Sequence, residues 1–421
     1  MSRRDYWFGV ATASVLFTLT GLALFHFLPG ELLLPGKKAQ MPETGVLSDL
    51  SHVTKLEMLE EMIDQYYLEE KDEELLAEGL YKGLFYGLGD PYSRYYTKEE
   101  FEEETTVQDG AYRGIGVTIS IDEYGRFLVD YCYPESPGEK AGLCPGDVIL
   151  SMDGTEYEDL SEMVDVIRHG DQDRVVFLID RAGEDELLEI PVEISDVELP
   201  SVSGEMLEDG IGYLQITGFK TVTPKQYKET FQELKAQGME KLVVDLRNNP
   251  GGYLDSVCDV LRQILPEGII VYSEDKYGER QEERCDGQNA LSMPLAVLVN
   301  GDTASASEVF SGAVQAYGIG TVVGTDTYGK GVIQIIRSFT DGSAFSLTQA
   351  HYYTPDGKDI HGVGIHPDVY VEPAEELRYK RIVSREEDNQ LQEALRILRD
   401  GAAPSSSRMA LQGKFFSGFS S

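Results

Sequence analysis

The chain has 421 residues, which at roughly 150 residues per domain points to about three folded units. A hydrophobic content of 41% with 43 Gly and 17 Pro excludes a disordered or fibrous chain. The net charge of −38, from 36 Lys+Arg against 74 Asp+Glu, all but excludes nucleic acid as a partner, because so acidic a surface repels phosphate backbones.

The charge is uneven: the first 40 residues carry Arg3, Arg4, Lys37 and Lys38 against only Asp5 and Glu31. Between Tyr6 and Leu28 no acid and no Lys or Arg interrupts the run, which is long enough to cross a hydrocarbon core. Residues 1–30 therefore read as a cytoplasmic tip and a single transmembrane helix. Arg3 and Arg4 stay inside, and the rest of the chain is exported from the cytoplasmic membrane. A cleaved signal peptide is the rival reading, but its apolar region is normally shorter and no A-x-A site follows.

Residues 31–47, with Pro35, Gly36, Pro42 and Gly45, form a linker. The stretch 48–109 is a helical lead, with Leu56, Leu59, Met62, Ile63 and Tyr66 and then Leu75, Leu76, Leu80 and Leu84 at helical spacing. Such stripes pack helices within one chain or against a second copy, so a homo-oligomer is expected. From 110 to 196 the pattern turns to short strands, and from 197 to 375 strands and helices alternate, the mark of an α/β core. A last helix and a Ser/Gly-rich tail occupy 376–421. Cys132, Cys144, Cys258 and Cys285 show no metal spacing, although Cys132 and Cys144 can pair within one domain. Six scattered histidines form no HExxH, so neither a metal nor a cofactor is expected.

In "PESPGEKAGLCPGDVILSMDG" (134–154), Pro137 opens a short helix, Gly142 closes it, and Gly146–Asp147 turn into the strand Val148–Met152. Upstream, Gly114-Ile115-Gly116 either enters a strand or offers bare amides to a carboxylate. With the helix that follows, these features resemble a PDZ domain over 110–196. That resemblance implies binding of peptide tails by strand addition, with Val117, Ile119, Met163 and Ile167 lining an apolar pocket. Arg168 is a candidate cation for the tail carboxylate, or an ordinary arginine favoured at a helix C-terminus. Joined to the core by 195–204, such a domain can swing as a rigid body when a tail binds.

Ser305 lies in "VNGDTASASEVFSGAVQAYG" (299–318), after a strand and at the start of a helix. The position exposes a hydroxyl and sets the Ala306 amide at the positive end of a helix; Ser305 with Glu308 is equally a capping box. Lys330, between Gly329 and Gly331 in "GTDTYGKGVIQ", sits among mostly uncharged neighbours. Lost solvation there lowers a lysine's pKa and lets it accept a serine proton. Gln334, four residues on, either orients that lysine or faces a neighbouring strand. In "DLRNNPGGYLDS" (245–256), Gly251 and Gly252 can present an amide to a bound carbonyl or simply turn the chain.

"DPYSRYY", the PDZ-like segment, "DLRNNPGG", "TASASE" and "TYGKGVIQ" follow one another as in the carboxyl-terminal processing (tail-specific) serine peptidases, which the chain resembles over roughly 48–400. Added to the N-terminal membrane helix read from residues 1–30, the resemblance implies a multidomain α/β protein with a helical lead, a PDZ-like β-rich domain and a crotonase/Clp-protease-like catalytic core. It makes Ser305 the nucleophile, Lys330 the general base and Gln334 the residue that positions the lysine, with Gly251 and Ala306 as oxyanion donors. Proteins or peptides with exposed C-terminal tails would be the substrates. Asn248 departs from the family, where glycine is common, and is expected to narrow the loop. Two other readings stand beside this one: a PDZ-based peptide-binding scaffold with an inactive core, and a Ser–His–Asp hydrolase recruiting His351, His361 or His366. Against the latter, Ser305 lacks a GxSxG elbow.

Overall fold

The computed structural model describes residues 45–377 and 383–400. The expected membrane anchor, most of the linker and the Ser/Gly-rich tail lie outside them. Among the described residues no helix is long and apolar enough to cross a membrane. The chain forms two compact units, one from residues 45–101 and 334–348, the other from 102–333, 349–377 and 383–400.

In the smaller unit, Asp49 caps α1 (Leu50–Tyr66) by accepting from Ser51 N at 2.9 Å, and Asp72 caps α2 (Glu73–Tyr86) through Leu75 N at 3.0 Å. Asp90 then folds "DPYSRYY" into a turn, accepting from Tyr92 N and Ser93 Oγ, and leads into β1 (Arg94–Tyr96). β1 pairs antiparallel with residues 344–346. Neither α1 nor α2 buries a residue; Leu59 and Leu84 are 48% and 57% exposed. The stripes are helical, as their spacing predicts, but among the described residues most of their side chains stay exposed, with Ile63 and Leu76 half-buried.

α3 (Lys98–Asp109) leads into a ribbon of two antiparallel strands, β2 (Ala111–Gly114) and β8 (Ser195–Glu198). Between them lies an antiparallel sheet in the order β3 (Val117–Ile121), β4 (Phe127–Cys132), β5 (Val148–Met152), β6 (Arg174–Asp180) and β7 (Leu188–Glu193). The short helix α4 (Pro137–Ala141) ends at Gly142 in the left-handed conformation (φ 93°), as the Pro/Gly spacing predicts. α5 (Leu160–His169) follows, capped by Asp159. Val129, Met152, Phe177, Ile179 and Val192 fill the core. The entering and leaving segments are thus zipped to one another rather than joined through 195–204 alone. Cys132 is buried and Cys144 exposed, and both are free thiols rather than a pair.

In the core, β9 (Val202–Met206) is antiparallel to β10 (Ile211–Ile216), which begins a parallel sheet with β11 (Lys241–Asp245), β14 (Leu295–Val299), β15 (Thr321–Gly324) and β18 (Val369–Tyr370). The central strands read as unbroken apolar runs because helices cover both faces. On one face, α6 (Thr223–Ala236), α7 (Leu254–Leu261) and α8 (Ala306–Tyr317) enclose Phe219, Val244, Val257, Val297 and Phe310. On the other, α9 (Asn389–Asp400) lays Leu391, Ala394, Leu395 and Leu398 over Ile211, Val243, Ala296 and Val323. β12 (Gly268–Asp275) pairs with β13 (Arg280–Cys285) and with the end of β17 (Ala344–Tyr353); β16 (Val332–Ser338) pairs with β17.

Candidate active site

β14 ends at Val299 and α8 begins at Ala306; the loop between them turns so sharply that Ser305 adopts φ 56°, ψ −119°. A non-glycine residue in that conformation stores about 1–3 kcal/mol of strain, which the surroundings must hold in place. They do so through Glu308, which is fully buried. Its Oε2 accepts from Ser305 N at 2.8 Å and from Lys330 N at 2.8 Å; its Oε1 accepts from Gly329 N at 2.7 Å and from Thr327 Oγ1 at 2.6 Å. One carboxylate therefore ties the serine turn to the lysine loop and keeps their two amide nitrogens within twice 2.8 Å of each other. Burial raises the Glu308 carboxyl above its ordinary value, while the four donors pull it back toward the charged form.

Ser305 and Lys330 are each 2% exposed. The lysine loop is fixed from behind by the 360–366 turn, where Gly362 N donates to Gly329 O at 2.8 Å and Ile365 N to Thr327 Oγ1 at 2.7 Å. Tyr352 Oη donates to Lys330 O. Gly331 must be glycine, because a Cβ there would meet His361 N at 2.4 Å.

The "DLRNNPGG" loop reaches the same place. A Cβ on Gly251 would lie 2.8 Å from Ser305 Cβ and 3.0 Å from Ala306 N, and Ala304 N donates to Asn249 O at 3.0 Å. Gly251, Ser305 and Ala306 are thus side by side, as the two-donor arrangement requires. The Gly251 amide is engaged, however: it donates to Asn249 Oδ1 at 2.9 Å across Pro250. The Ala306 amide is the first of its helix, where no intrahelical acceptor exists. Asn248 sits where the loop meets Asn300. It takes the left-handed conformation (φ 60°), which explains why glycine suits this position, and exchanges hydrogen bonds with the Asn300 side chain at 3.0 and 2.8 Å.

Gln334 is buried on β16 in the smaller unit, and its Nε2 donates to Thr348 Oγ1 at 3.3 Å. The histidines of the rival triad are occupied elsewhere: His366 Nδ1 lies 2.6 Å from Asp326 Oδ1 at the surface, and His351 packs edge-on against His361. In the PDZ-like domain, Gly114 belongs to the β2–β8 ribbon, and Gly116 has φ 69°. Ile115 is buried, with its carbonyl accepting from Gly138 N at 2.7 Å. Val117 and Ile119 lie on β3, an outer strand of the sheet that, among the described residues, pairs with β4 alone. Met163 and Ile167 are buried in the core of the domain, and Arg168 lies 5.4 Å from the Tyr112 ring centre. Glu308, Thr327 and Asn249 were not among the residues singled out for chemistry. The one available signal was an acid at position three of an otherwise uncharged helix.

Fold and site define a PDZ domain joined to an α/β core that presents a serine on a strained turn. Residues 210–371 match peptidase family S41, residues 128–181 a PDZ domain and residues 33–100 the activating protease CtpB N-terminal domain. The carboxy-terminal processing protease CtpA of Bacillus subtilis is 30% identical over 353 residues, 83% of this chain and 74% of that protein. A probable CtpA-like serine protease of Staphylococcus aureus is 32% identical over 332 residues, and the match spans 66% of its length. Among solved structures, the photosystem II D1 C-terminal processing protease is similar at 29% identity and a TM-score of 0.45, covering 82% of this chain and 92% of that one. The chain belongs to peptidase family S41.

Proposed function

We propose that the chain is a serine endopeptidase that cleaves proteins near exposed C-terminal tails, with Ser305 and Lys330 as its dyad. The observation that carries this reading is the Glu308 carboxylate, which holds the serine turn and the lysine loop by one oxygen atom. Lys330, only 2% exposed, is held by that carboxylate beside the serine turn, where a general base must lie. As Ser305 Oγ attacks the scissile carbonyl carbon, Lys330 Nζ takes its proton. The carbonyl oxygen becomes an oxyanion facing the Ala306 amide and the Gly251 amide, which turns to it from Asn249 Oδ1. Lys330 then protonates the departing amine, leaving an acyl ester on Ser305. A water deprotonated by Lys330 hydrolyses the ester. Gln334 has the lysine-orienting role that the family resemblance implies.

The open edge of β3 supports tail recognition by strand addition beside the Gly114–Gly116 loop. The apolar run Tyr6–Leu28 supports anchoring in the cytoplasmic membrane with the peptidase outside, and the bare faces of α1 and α2 support assembly of two or more copies. Digestion of casein and of a tail-tagged peptide by the full chain and by Ser305→Ala tests the reading. Loss of cleavage with an unchanged melting profile is expected; equal cleavage, or none by either protein, would leave the peptide-binding scaffold as the better account.

A further inference from the structure

The oxyanion loop is held from a second side, by a part of the chain outside the matched peptidase segment 210–371. Arg247 opens the loop, four residues before Gly251. One edge of its guanidinium lies on Asp245 at the end of β11, with Nε 3.0 Å from Oδ1 and Nη2 2.6 Å from Oδ2. Asp245 is itself buried and also accepts from Tyr213 Oη at 2.7 Å. The other edge reaches the start of α9. Asp388 Oδ1 accepts from Arg247 Nη1 at 3.0 Å, Asp388 Oδ2 lies 2.8 Å from Nη2, and Gln390 Oε1 accepts from Nη1 at 3.2 Å. Burial works against the Arg247 charge, but Asp245 and Asp388 hold its pKa above the ordinary value.

Asp388 has two tasks. Its Oδ1 also accepts from Gln390 N and Leu391 N at 3.1 and 3.0 Å, capping α9. The apolar face of α9 is seated on the sheet, so the capped end, and with it the carboxylate, is fixed relative to β11. Gln390 Nε2 adds a bond to Val371 O at 2.8 Å, and Arg385 lies over the Tyr213 ring. The loop is therefore held at Arg247 by α9, at Asn249 by the Ala304 amide of the serine turn, and at Gly251 by Phe219 N, which donates to its carbonyl at 2.8 Å.

We propose that Asp388 is a positioning residue for the oxyanion loop: by clamping Arg247 it sets where the Gly251 amide stands relative to Ser305. This rests on Gly251 being an oxyanion donor, as proposed above. The clamp separates cleanly from the cap, because asparagine caps helices as well as aspartate does. Asp388→Asn thus leaves α9 seated and removes one of the two charged partners of Arg247, the one that α9 carries.

The test uses the full chain with Asp388→Asn, Asp388→Glu and Arg399→Ala, the last on the same helix but paired with Asp209 at the surface. Asp388→Asn is expected to lower kcat about 10- to 100-fold with KM changed less than about twofold. Phosphonylation of Ser305 by a small fluorophosphonate should fall in parallel, since that reagent also needs the oxyanion donors. Asp388→Glu should restore part of the rate, and Arg399→Ala should match the unaltered chain. Hydrogen exchange over 247–252 gives a readout independent of activity, and it should quicken about tenfold or more in Asp388→Asn alone. Unchanged exchange there, or a kcat within twofold of the parent, would overturn the proposal. If the parent chain neither cleaves nor reacts, the peptidase reading fails, and the exchange measurement still decides whether Asp388 positions the loop.

Discussion

Glu308→Gln removes one acceptor atom and changes almost nothing else in shape. The carboxylate serves four donors, two on each oxygen. A carboxamide keeps one oxygen and turns an NH2 toward the other pair. Whichever way it flips, two buried donors lose their acceptor: Ser305 N and Lys330 N, or Gly329 N and Thr327 Oγ1. An unsatisfied buried donor costs about 1–3 kcal/mol, so the variant faces about 2–6 kcal/mol of local penalty. It can lessen that only by separating the serine turn from the lysine loop. As a barrier to reaction the same range corresponds to roughly 30- to 10⁴-fold in rate. The assay is kcat and KM on a fluorogenic peptide, with Ser305 phosphonylation and thermal melting in parallel. At least about a 30-fold fall in kcat is expected, while melting changes little, because removal of the buried charge offsets the lost hydrogen bonds. A variant within threefold of the parent rate would refute the clamp.

The raised Glu308 carboxyl makes a pH prediction with opposite signs for rate and stability. On acidification it gains a proton above the pH at which an exposed glutamate would, placing an O–H before donors, so kcat/KM should fall there and the limb should vanish in Glu308→Gln. Because the folded value lies above the unfolded one, the cost of the buried charge is present at neutral pH and relieved as pH falls through that window. Melting against pH should show this group's contribution rising as activity falls; an identical acid limb in Glu308→Gln would exclude the assignment. Gly251→Ala places a Cβ 2.8 Å from Ser305 Cβ and from Ala304 O at a residue with φ 109°, and should cost about 100-fold or more in kcat, whereas a normal rate would remove Gly251 from the oxyanion site. Peptides with free C-terminal carboxylates should be cleaved at least about tenfold more efficiently than their amides, since a tail adding to β3 ends at the Gly114–Gly116 loop; equal rates would show that the terminus is not read.

Much of the core was legible because its signals are local. An unbroken apolar run became β14, with residues 295–299 all buried, and the small-residue cluster after it became the start of α8. Pro137 and Gly142 bounded α4 by fixed backbone preferences. What escaped were features decided by distant partners. Glu308 satisfies the same i, i+3 pattern whether it caps a solvated helix or lies buried as a clamp, and only the loop near residue 330 distinguishes the two. The pairing of β2 with β8 joins segments at opposite ends of the PDZ domain, so no local periodicity announces it. Met163 and Ile167 have the spacing of a pocket-lining stripe, which is also the spacing of a core face. The α1 and α2 stripes gave the helices correctly without showing what covers them.

The central claim is that Ser305 is activated by Lys330. The most direct measurement treats the full chain and Lys330→Ala with a small fluorophosphonate and maps the modified peptide by mass. The account predicts one adduct, on Ser305, formed at least about 10³-fold more slowly in Lys330→Ala, because nucleophile and base act as a unit. Modification of another residue, or labelling of Ser305 at the parent rate without Lys330, would contradict it.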